Sequence, residues 1–321
     1  MSNKLIVSLS PHVHSGDSVQ KNMYGVCLAL VPALIASLYF FGLGAAIVLV
    51  ASVVSCVLFE WLISKFILKK KTQVNDLSAL LTGLLLAMNL PSSLPWWMVI
   101  IGSLVAIGIG KMSFGGLGNN LFNPALVGRV FLLISFPAAM TTWPVPDQLT
   151  LLGDNVDALT AATPLAYIKE GIFTTFTEME MFLGNIGGSF GETCSAALIL
   201  GLIYLLATRT ITWHIPVSII ATVIIFTGIM HAVDPCTYAS PLLHITSGGI
   251  LLGSIFMATD YVTSPMTKAG QLIFGVGIGV ITVVIRLFGS YPEGISFAIL
   301  IMNAVVPLIN RYVRPKRFGA K

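Results

Sequence analysis

The sequence contains few charged residues. Only 9% of its 321 residues are Asp, Glu, Lys or Arg, against roughly 25% in an average soluble domain. Hydrophobic residues make up 56%, and the mean hydropathy is +0.92. A soluble fold cannot cover so much apolar surface with polar groups, and disorder requires low hydrophobicity and high charge. The composition therefore indicates an integral membrane protein.

Cysteine is scarce too. The chain has four cysteines and no CxxC pair, which excludes an iron–sulfur cluster or a zinc ribbon held by this chain alone. His231, Asp234, Cys236 and His244 lie near one another in the sequence, but their spacing matches no standard metal site. We therefore predict no bound metal. Residues 1–20 are polar and lack the apolar core of a cleavable signal.

Ten apolar runs divide the chain. They cover residues 23–41, 45–63, 77–90, 96–110, 122–137, 193–208, 213–232, 242–259, 270–288 and 295–310. A membrane-spanning helix needs about 20 residues, so the runs at 77–90 and 122–137 are too short for plain spans. Short runs edged by Gly, Asn or Pro are typical of broken helices that line a site. The sequence predicts an all-α integral membrane protein with about ten transmembrane helices, some short or broken.

Basic residues fall mainly on one side of this arrangement. If the chain crosses the membrane ten times, 14 of its 17 basic residues lie in chain ends and loops on the same side of the membrane as the N-terminus. The exceptions are Arg129, Lys169 and Arg286. The positive-inside rule then puts both termini in the cytoplasm. The expected segments are a cytoplasmic tail (1–22), a first membrane half with spans 1 to 5 (23–137), an extracytoplasmic loop (138–192), a second membrane half with spans 6 to 10 (193–310) and a basic cytoplasmic tail (311–321).

The two membrane halves share a weak sequence echo. Asn89-Leu-Pro91 and the stretch 119–124 in the first half correspond to Gly248-Gly249 through Asp260, and then Asn303, in the second. Halves of five spans each insert in opposite directions. The pattern therefore predicts two inverted five-helix repeats, with a site near the middle where they meet.

The loop at 138–192 carries seven acidic residues against one lysine. A loop of this length is usually functional; the alternative is a plain acidic connector. It contains Thr160-Ala161-Ala162-Thr163-Pro164. The proline disfavours a helical Thr163, and the small alanines leave both hydroxyls open to modification or phosphate binding. An ordinary helix-capping threonine is the alternative.

Four stretches resemble the RnfD/NqrB family, which comprises membrane subunits of the Rnf ferredoxin:NAD oxidoreductase and of the sodium-pumping NADH:quinone reductase. They are Ser10-Pro11-His12, Gly115 to Ala125, Thr160 to Thr163 and Phe256 to Pro265. In that family, FMN is joined by its phosphate to the last threonine of a Ser/Thr-Gly-Ala-Thr motif. The resemblance therefore assigns covalent FMN to Thr163, with Thr160 and Ala162 beside it. Ala161 stands where the family often has glycine.

The resemblance also implies a function. The chain is expected to be a flavoprotein subunit of an ion-translocating electron-transport complex in a bacterial or archaeal cytoplasmic membrane. Electrons would pass from ferredoxin to NAD through the A, B, C, E and G subunits of the complex, and sodium ions or protons would be exported. A flavin transferase would attach the FMN, and the sodium-pumping relative suggests a second, noncovalent riboflavin. Membrane lipid is an expected partner and nucleic acid is not.

Polar residues at the start of one short span are further candidates. Asn119, Asn120 and Asn123 follow a glycine-rich stretch that lacks the pattern of a nucleotide-binding loop. Asparagine side chains there satisfy carbonyls freed by a bent backbone or hydrogen-bond a flavin ring. Simple helix capping is the alternative.

Charged residues in or beside spans are functional candidates by default. For Arg129 we expect a flavin phosphate, a carboxylate such as Glu60 or Asp260, or lipid head groups as partner. Asp260 and Thr259 offer oxygen ligands at a predicted cytoplasmic span end, which suits an ion pathway; a helix cap is the alternative. Glu60 is interpreted as an interfacial charge near Lys65.

Two other functions fit the same fold. An inverted repeat also suits a cofactor-free transporter or channel for a small solute or ion, and a structural membrane scaffold needs no cofactor either. Fold alone does not separate these classes. The threonine-containing loop does, because only a flavoprotein requires it.

Overall fold

The computed structural model describes residues 18–69, 76–144, 146, 163–169, 178–235, 237–289, 291 and 293–314. These residues form helices and connecting turns, with no strand among them. The helices are α1 (Val19–Leu62), α2 (Ser78–Met88), α3 (Trp96–Gly108), α4 (Pro124–Ser135), α5 (Pro137–Met140), α6 (Pro164–Lys169), α7 (Glu178–Leu183), α8 (Ser195–Ala207), α9 (His214–Val233), α10 (Pro241–Thr246), α11 (Ile250–Leu252), α12 (Lys268–Phe288) and α13 (Ile295–Tyr312). π-Helical turns extend α1 over Ile63–Ile67 and α11 over Gly253–Met257.

Each apolar run of the sequence coincides with helical structure, and the first two share α1. Gly42 interrupts α1 with φ 55° and ψ −136°, a conformation that glycine adopts because it has no Cβ. With its π-helical turn, α1 covers 49 residues, about 73 Å at 1.5 Å per residue. That is more than twice the roughly 30 Å of a bilayer core. The break at Gly42 therefore divides α1 into two pieces of about membrane length.

By length and composition, five helical segments in the described part of the chain can cross a bilayer. They are Val19–Ile67, Trp96–Phe114, His214–Val233, Lys268–Phe288 and Ile295–Tyr312. Three shorter apolar helices accompany them: Ser78–Met88, Pro124–Ser135 and Ser195–Ala207. The prediction of an all-helical membrane protein with short helices is confirmed. The inverted repeat of ten spans stays a prediction.

The short helices lie at the centre of the molecule. In α2, nine of eleven residues are buried, and every residue of α11 and its π-helical turn is buried. The long helices α1 and α9 instead expose apolar side chains such as Ile35, Val50 and Ile225. Central helices are thus enclosed by protein, while the outer ones present a surface suited to lipid.

Contacts between helices define two groups that meet at the centre. In the first group α1 packs along α2 and α3, and α3 along α4; in the second α9 packs along α10 and α12, and α12 along α13. The second group also includes α8 and α11, because α8 contacts α11 and the π-helical turn after α11 contacts α9. The groups meet where α1 contacts α8 and where α4 contacts α13. Ser52 Oγ donates to the Gly83 carbonyl oxygen at 2.8 Å, where a Cβ at Gly83 would lie only 2.7 Å from Val53 Cα. The glycine therefore permits the close approach of α1 and α2.

The local sequence determines where the central helices begin. Asn123 caps α4 by accepting from the Ala125 amide at 3.1 Å, and Pro124 occupies the first turn, where a missing N–H costs nothing.

The apolar run at 242–259 is divided into two helices, because Ser247 to Gly249 separate α10 from α11. Gly248 has a φ of 67° there. The sequence echo at Gly248-Gly249 thus coincides with a real helix break.

Candidate functional site

A first cavity, the Thr163 cavity, has a volume of about 280 Å³, close to the lower end of the roughly 300–1,000 Å³ of small-molecule sites. Its lining brings together two residues predicted to contact the flavin, Thr163 and Arg129. The other lining residues are Leu133, Met140, Thr141, Trp143, Ala166, Tyr291 and Glu293. Thr160 and Ala162, the other predicted contacts from this motif, lie outside the described residues.

Thr163 lies at the start of α6 and is 7% exposed. Its hydroxyl oxygen accepts from the Ala166 amide at 3.3 Å. Its carbonyl oxygen accepts from the amides of Ala166 and Tyr167 at 2.8 and 3.2 Å. Thr163 is therefore a helix cap, as the alternative interpretation held, and it also lines a cavity. The two roles are compatible because capping uses only a lone pair of the hydroxyl.

Arg129 brings a positive charge to the same cavity. Its guanidinium forms close contacts with the Glu293 carboxylate and the Ser296 hydroxyl, and Arg129 Nη1 lies 3.5 Å from Glu192 Oε1. The expected partners Glu60 and Asp260 were wrong, as was snorkelling to lipid, because Arg129 is buried within the protein. Both acidic partners lie outside the apolar runs and far from Arg129 along the chain.

A second guanidinium completes a buried charged cluster, which we define as Arg129, Glu192, Arg286 and Glu293. Arg286 Nη1 donates to the His244 carbonyl oxygen at 2.6 Å, and Nη2 to that of Ser247 at 3.0 Å. These carbonyls belong to the end of α10, where the helix breaks. The cluster therefore joins α4 of the first helix group to α10, α12 and the α12–α13 connection of the second.

A second cavity, the Asp260 cavity, has a volume of about 70 Å³ and is lined by residues from both helix groups. It brings together four predicted site residues: Asn120, Asn123, Thr259 and Asp260. Thr263 Oγ1 donates to Asp260 Oδ2 at 3.1 Å. Burial raises the pKa of the Asp260 carboxyl above its usual range, while hydrogen bonds from its own turn oppose that shift. The carboxyl group is thus both a turn cap and part of the cavity wall.

Lys111 is a residue of this cavity that the sequence did not single out. It is 2% exposed, and its ammonium Nζ donates at 2.6 Å both to Glu60 Oε2 and to Ser78 Oγ. The interpretation of Glu60 as an interfacial charge near Lys65 was wrong. Lys65 instead places its ammonium 4.6 Å from the Trp61 ring. Lys111 shortly precedes the glycine- and asparagine-rich stretch. Its position next to that stretch is the feature of the sequence that could have indicated a site residue.

The three asparagines are separated by the structure. Asn123 Nδ2 donates to the Met257 carbonyl oxygen at 3.1 Å, which links the start of α4 to the end of the π-helical turn. Asn120 Nδ2 donates to the Phe122 carbonyl oxygen at 3.1 Å, and its Oδ1 is buried with no partner among the described residues. Asn119 is exposed and lines neither cavity, so its assignment to the site stays a prediction. Neither Asn120 nor Asn123 lines the Thr163 cavity.

The structure describes part of the group His231, Asp234, Cys236 and His244, for which the sequence predicts no bound metal. His231 Nδ1 lies 2.6 Å from the Tyr238 carbonyl oxygen, and His244 is buried, while Cys236 lies outside the described residues. Among the residues that are described, no three His, Cys, Asp or Glu side chains gather as metal ligands would.

The comparisons with known proteins cover almost the entire chain. The family model of the NQR2, RnfD, RnfE family matches residues 6–319. The chain belongs to this family. It is 44% identical to the D subunit of the proton-translocating ferredoxin:NAD(+) oxidoreductase complex of Clostridium ljungdahlii, over 99% of this chain and 97% of that protein. It is 43% identical to the D subunit of the Na(+)-translocating ferredoxin:NAD(+) oxidoreductase complex of Acetobacterium woodii, over 98% and 95%.

A third relative in the family is the D subunit of the ion-translocating oxidoreductase complex of Stutzerimonas stutzeri, which is 41% identical over 94% of this chain and 93% of its own. The resemblance stated from the four sequence stretches is therefore confirmed. The first two relatives are named for different ions, the proton and Na⁺, at nearly equal identity. Overall similarity consequently does not distinguish the coupling ion.

Proposed function

We propose that this chain is the D-type membrane subunit of an ion-translocating ferredoxin:NAD(+) oxidoreductase, and that it carries FMN joined through its phosphate to Thr163. One observation carries the proposal: Thr163 and the buried guanidinium of Arg129 line the same cavity of about 280 Å³, in a chain whose relatives are D subunits of such complexes. A cofactor-free transporter has no need of that pairing.

The residues of the Thr163 cavity fit the chemistry of the cofactor. The Thr163 oxygen would form the phosphate ester, and Arg129 would face the negative charge of the phosphate. Trp143 and Tyr291 provide aromatic surface against which a flavin ring can pack. When bound, FMN supplies electron transfer, and the protein sets its position and potential.

The Asp260 cavity is the proposed place of ion handling. Carboxylate and hydroxyl oxygens suit an alkali cation or a proton relay, and Asp260 and Thr259 supply them on the cavity wall. Lys111 contributes a fixed positive charge on the same wall. A second, noncovalent flavin such as riboflavin stays part of the proposal, and it rests on the family resemblance.

We further propose ten spans in two inverted halves, with both termini in the cytoplasm. Contacts between connecting segments support this arrangement. Tyr261 donates to the Thr210 carbonyl oxygen, and Thr212 Oγ1 donates to Gln271 Oε1 at 2.8 Å. The segments next to the basic residues Arg209 and Lys268 therefore lie at the same end of the molecule. The positive-inside rule requires this for cytoplasmic loops.

Cysteine labelling tests the orientation. In a background without the native cysteines, Met179→Cys on α7 should react with an impermeant thiol reagent in intact cells, whereas Tyr312→Cys at the end of α13 should not. Both positions are well exposed, at 65% and 76%, so burial does not confound the comparison. Labelling of Tyr312→Cys alone would reverse the orientation and place the Thr163 cavity on the cytoplasmic side.

Flavin fluorescence in a denaturing gel tests the attachment. The wild-type band should fluoresce under ultraviolet light, and Thr163→Ala should abolish that signal because the ester oxygen is gone. Thr163→Ser, which keeps a hydroxyl, should retain part of it. Thr141→Ala is the matched control, since Thr141 lines the same cavity, and its band should fluoresce normally.

Two outcomes would contradict the proposal. If Thr163→Ala still fluoresces while Thr160→Ala does not, the flavin is attached to the other hydroxyl of the motif. If the wild-type chain carries no covalent flavin when produced with its partner subunits and flavin transferase, the cofactor-free transporter becomes the better proposal.

A further inference from the structure

The buried charged cluster lies directly behind the Thr163 cavity. Arg129 and Glu293 line the cavity, and Glu192 and Arg286 lie deeper, each less than 5% exposed. Four separate segments supply the four side chains. Because water does not screen such a site, a change of one charge in the cluster acts strongly on any charged group in the cavity.

The hydrogen bonds of the cluster are divided unequally between its two acids. Glu293 receives the close contact from Arg129, and the Nη groups of Arg286 donate to backbone carbonyls. Glu192 has Arg129 Nη1 at 3.5 Å and side-chain interactions with the Ser189 hydroxyl and the Glu293 carboxyl group, but neither of its oxygens makes a close hydrogen bond with the described residues. A buried carboxylate with so few donors is costly, so its neutral form is favoured.

Several polar atoms around Glu192 also lack partners in the described part of the chain. They are both ring nitrogens of His244 and Arg286 Nε. The break between α10 and α11 closes the other side, where a Cβ at Gly249 would lie only 3.1 Å from Glu192 Oε2. Buried polar groups left over in this way are typically satisfied by internal water. Such water gives a proton a means of exchange.

We propose that Glu192 is a proton-binding site that sets the charge facing the Thr163 cavity. With the proton bound, two guanidinium groups face one carboxylate, and the cluster carries one net positive charge. Without the proton, the cluster is neutral. The charged groups that act on Glu192 are Arg129 from α4, Arg286 from α12 and Glu293 from the α12–α13 connection.

The pKa of Glu192 is consistent with this role. Burial raises the pKa of this carboxyl to about 8, the nearby Glu293 carboxylate adds to the shift, and Arg129 opposes it. Because the value is raised, the proton is held at neutral pH and leaves as the pH rises through about 8. Exchange therefore falls within the range in which a living cell operates.

The site has a redox consequence, and this part rests on the proposed function. When the flavin on Thr163 gains one electron from a partner subunit, the added negative charge strengthens proton binding at Glu192. One proton from water then joins Glu192 for the electron gained, and both leave on reoxidation. Above about pH 8, the reduction potential of the flavin should therefore fall with rising pH more steeply in the wild type than in Glu192→Gln.

Infrared spectroscopy of the purified complex tests the proton site without relying on the flavin. A carbonyl band of a protonated carboxylic acid should disappear as the pH rises through about 8, and it should shift in D₂O. Glu192→Gln should lack this band. Glu180→Gln, an exposed glutamate on α7, is the matched control and should keep it.

The proposal is overturned if the wild type shows no such titrating band between roughly pH 6 and pH 10, or if the band survives in Glu192→Gln. Should that variant fail to accumulate, Glu192→Asp serves instead, and an unchanged titration midpoint there would also contradict the assignment. In-gel fluorescence of the same samples separates the two proposals. A titrating band without covalent flavin refutes attachment to Thr163 and supports the proton site. Covalent flavin without the titrating band supports attachment to Thr163 and refutes the proton site.

Discussion

The two cavities handle buried charge in different ways. In the Thr163 cavity, Arg129 has two carboxylates close by, and the cluster is held together across several segments. In the Asp260 cavity, the Asp260 carboxyl is held by hydrogen bonds within its own turn, and Lys111 is already paired with Glu60. The first arrangement fixes the positions of its charged groups across several segments, and the second places a carboxyl group on the cavity wall where the proposed ion would bind.

Among the substitutions that test the difference between the two cavities, the one at Arg129 should have the largest effect. Arg129→Met leaves the buried Glu293 and Glu192 without their cation, which typically costs about 3–5 kcal/mol. We expect the thermal unfolding temperature of the purified protein in detergent to fall sharply. Lys65→Met is the control, because Lys65 is exposed and contacts only aromatic rings in the interactions described. Equal stability of the two variants would show that the cluster is not a structural centre.

A smaller effect is expected at Asp260. Asp260→Asn keeps the shape of the turn and removes one charge from the cavity. The half-saturating ion concentration for coupled turnover should rise roughly 10-fold, equivalent to about 1.4 kcal/mol, while covalent flavin is retained in the gel. Unchanged ion dependence with normal turnover would reduce Asp260 to the turn cap that its hydrogen bond with Thr263 already indicates.

The smallest expected effect distinguishes two asparagines of one motif. Asn123→Ala removes the cap of α4 and the bond to the Met257 carbonyl oxygen, a loss of about 1–2 kcal/mol. Asn119→Ala alters an exposed side chain outside both cavities and should change stability by less than about 0.5 kcal/mol. Unfolding temperatures of the two variants test the difference, and a larger loss at Asn119 would contradict the structure.

Local sequence predicted the helices well, because each apolar run has one dominant way to bury its backbone polar groups in a membrane. The short helices at 77–90 and 122–137 were predicted on this basis, whereas Gly248-Gly249 was noted only as part of the sequence echo between the two halves. The partners of Arg129 were not. Glu192 and Glu293 lie in connections, where no periodicity shows which way a side chain points.

Thr163 was predictable from a motif, and Arg129 was predictable from the cost of a charge inside an apolar run. Thr163 and Arg129 were proposed for one cofactor, and the structure places both on one cavity. Asn119 and Asn120 are adjacent in the same motif, yet one is exposed and the other buried. Their backbone follows glycines with positive φ, Gly115, Gly116 and Gly118, so helical spacing could not predict which faced the protein.

The break after α10 has a mechanical consequence. The carbonyls of His244 and Ser247 hold Arg286 on one side of the break, and on the other side Met257 binds Asn123 shortly before Asp260. One short stretch of main chain, with Gly248 at a φ of 67°, therefore runs from the charged cluster to the Asp260 cavity. The two cavities are thus held relative to each other by covalent backbone as well as by side-chain packing.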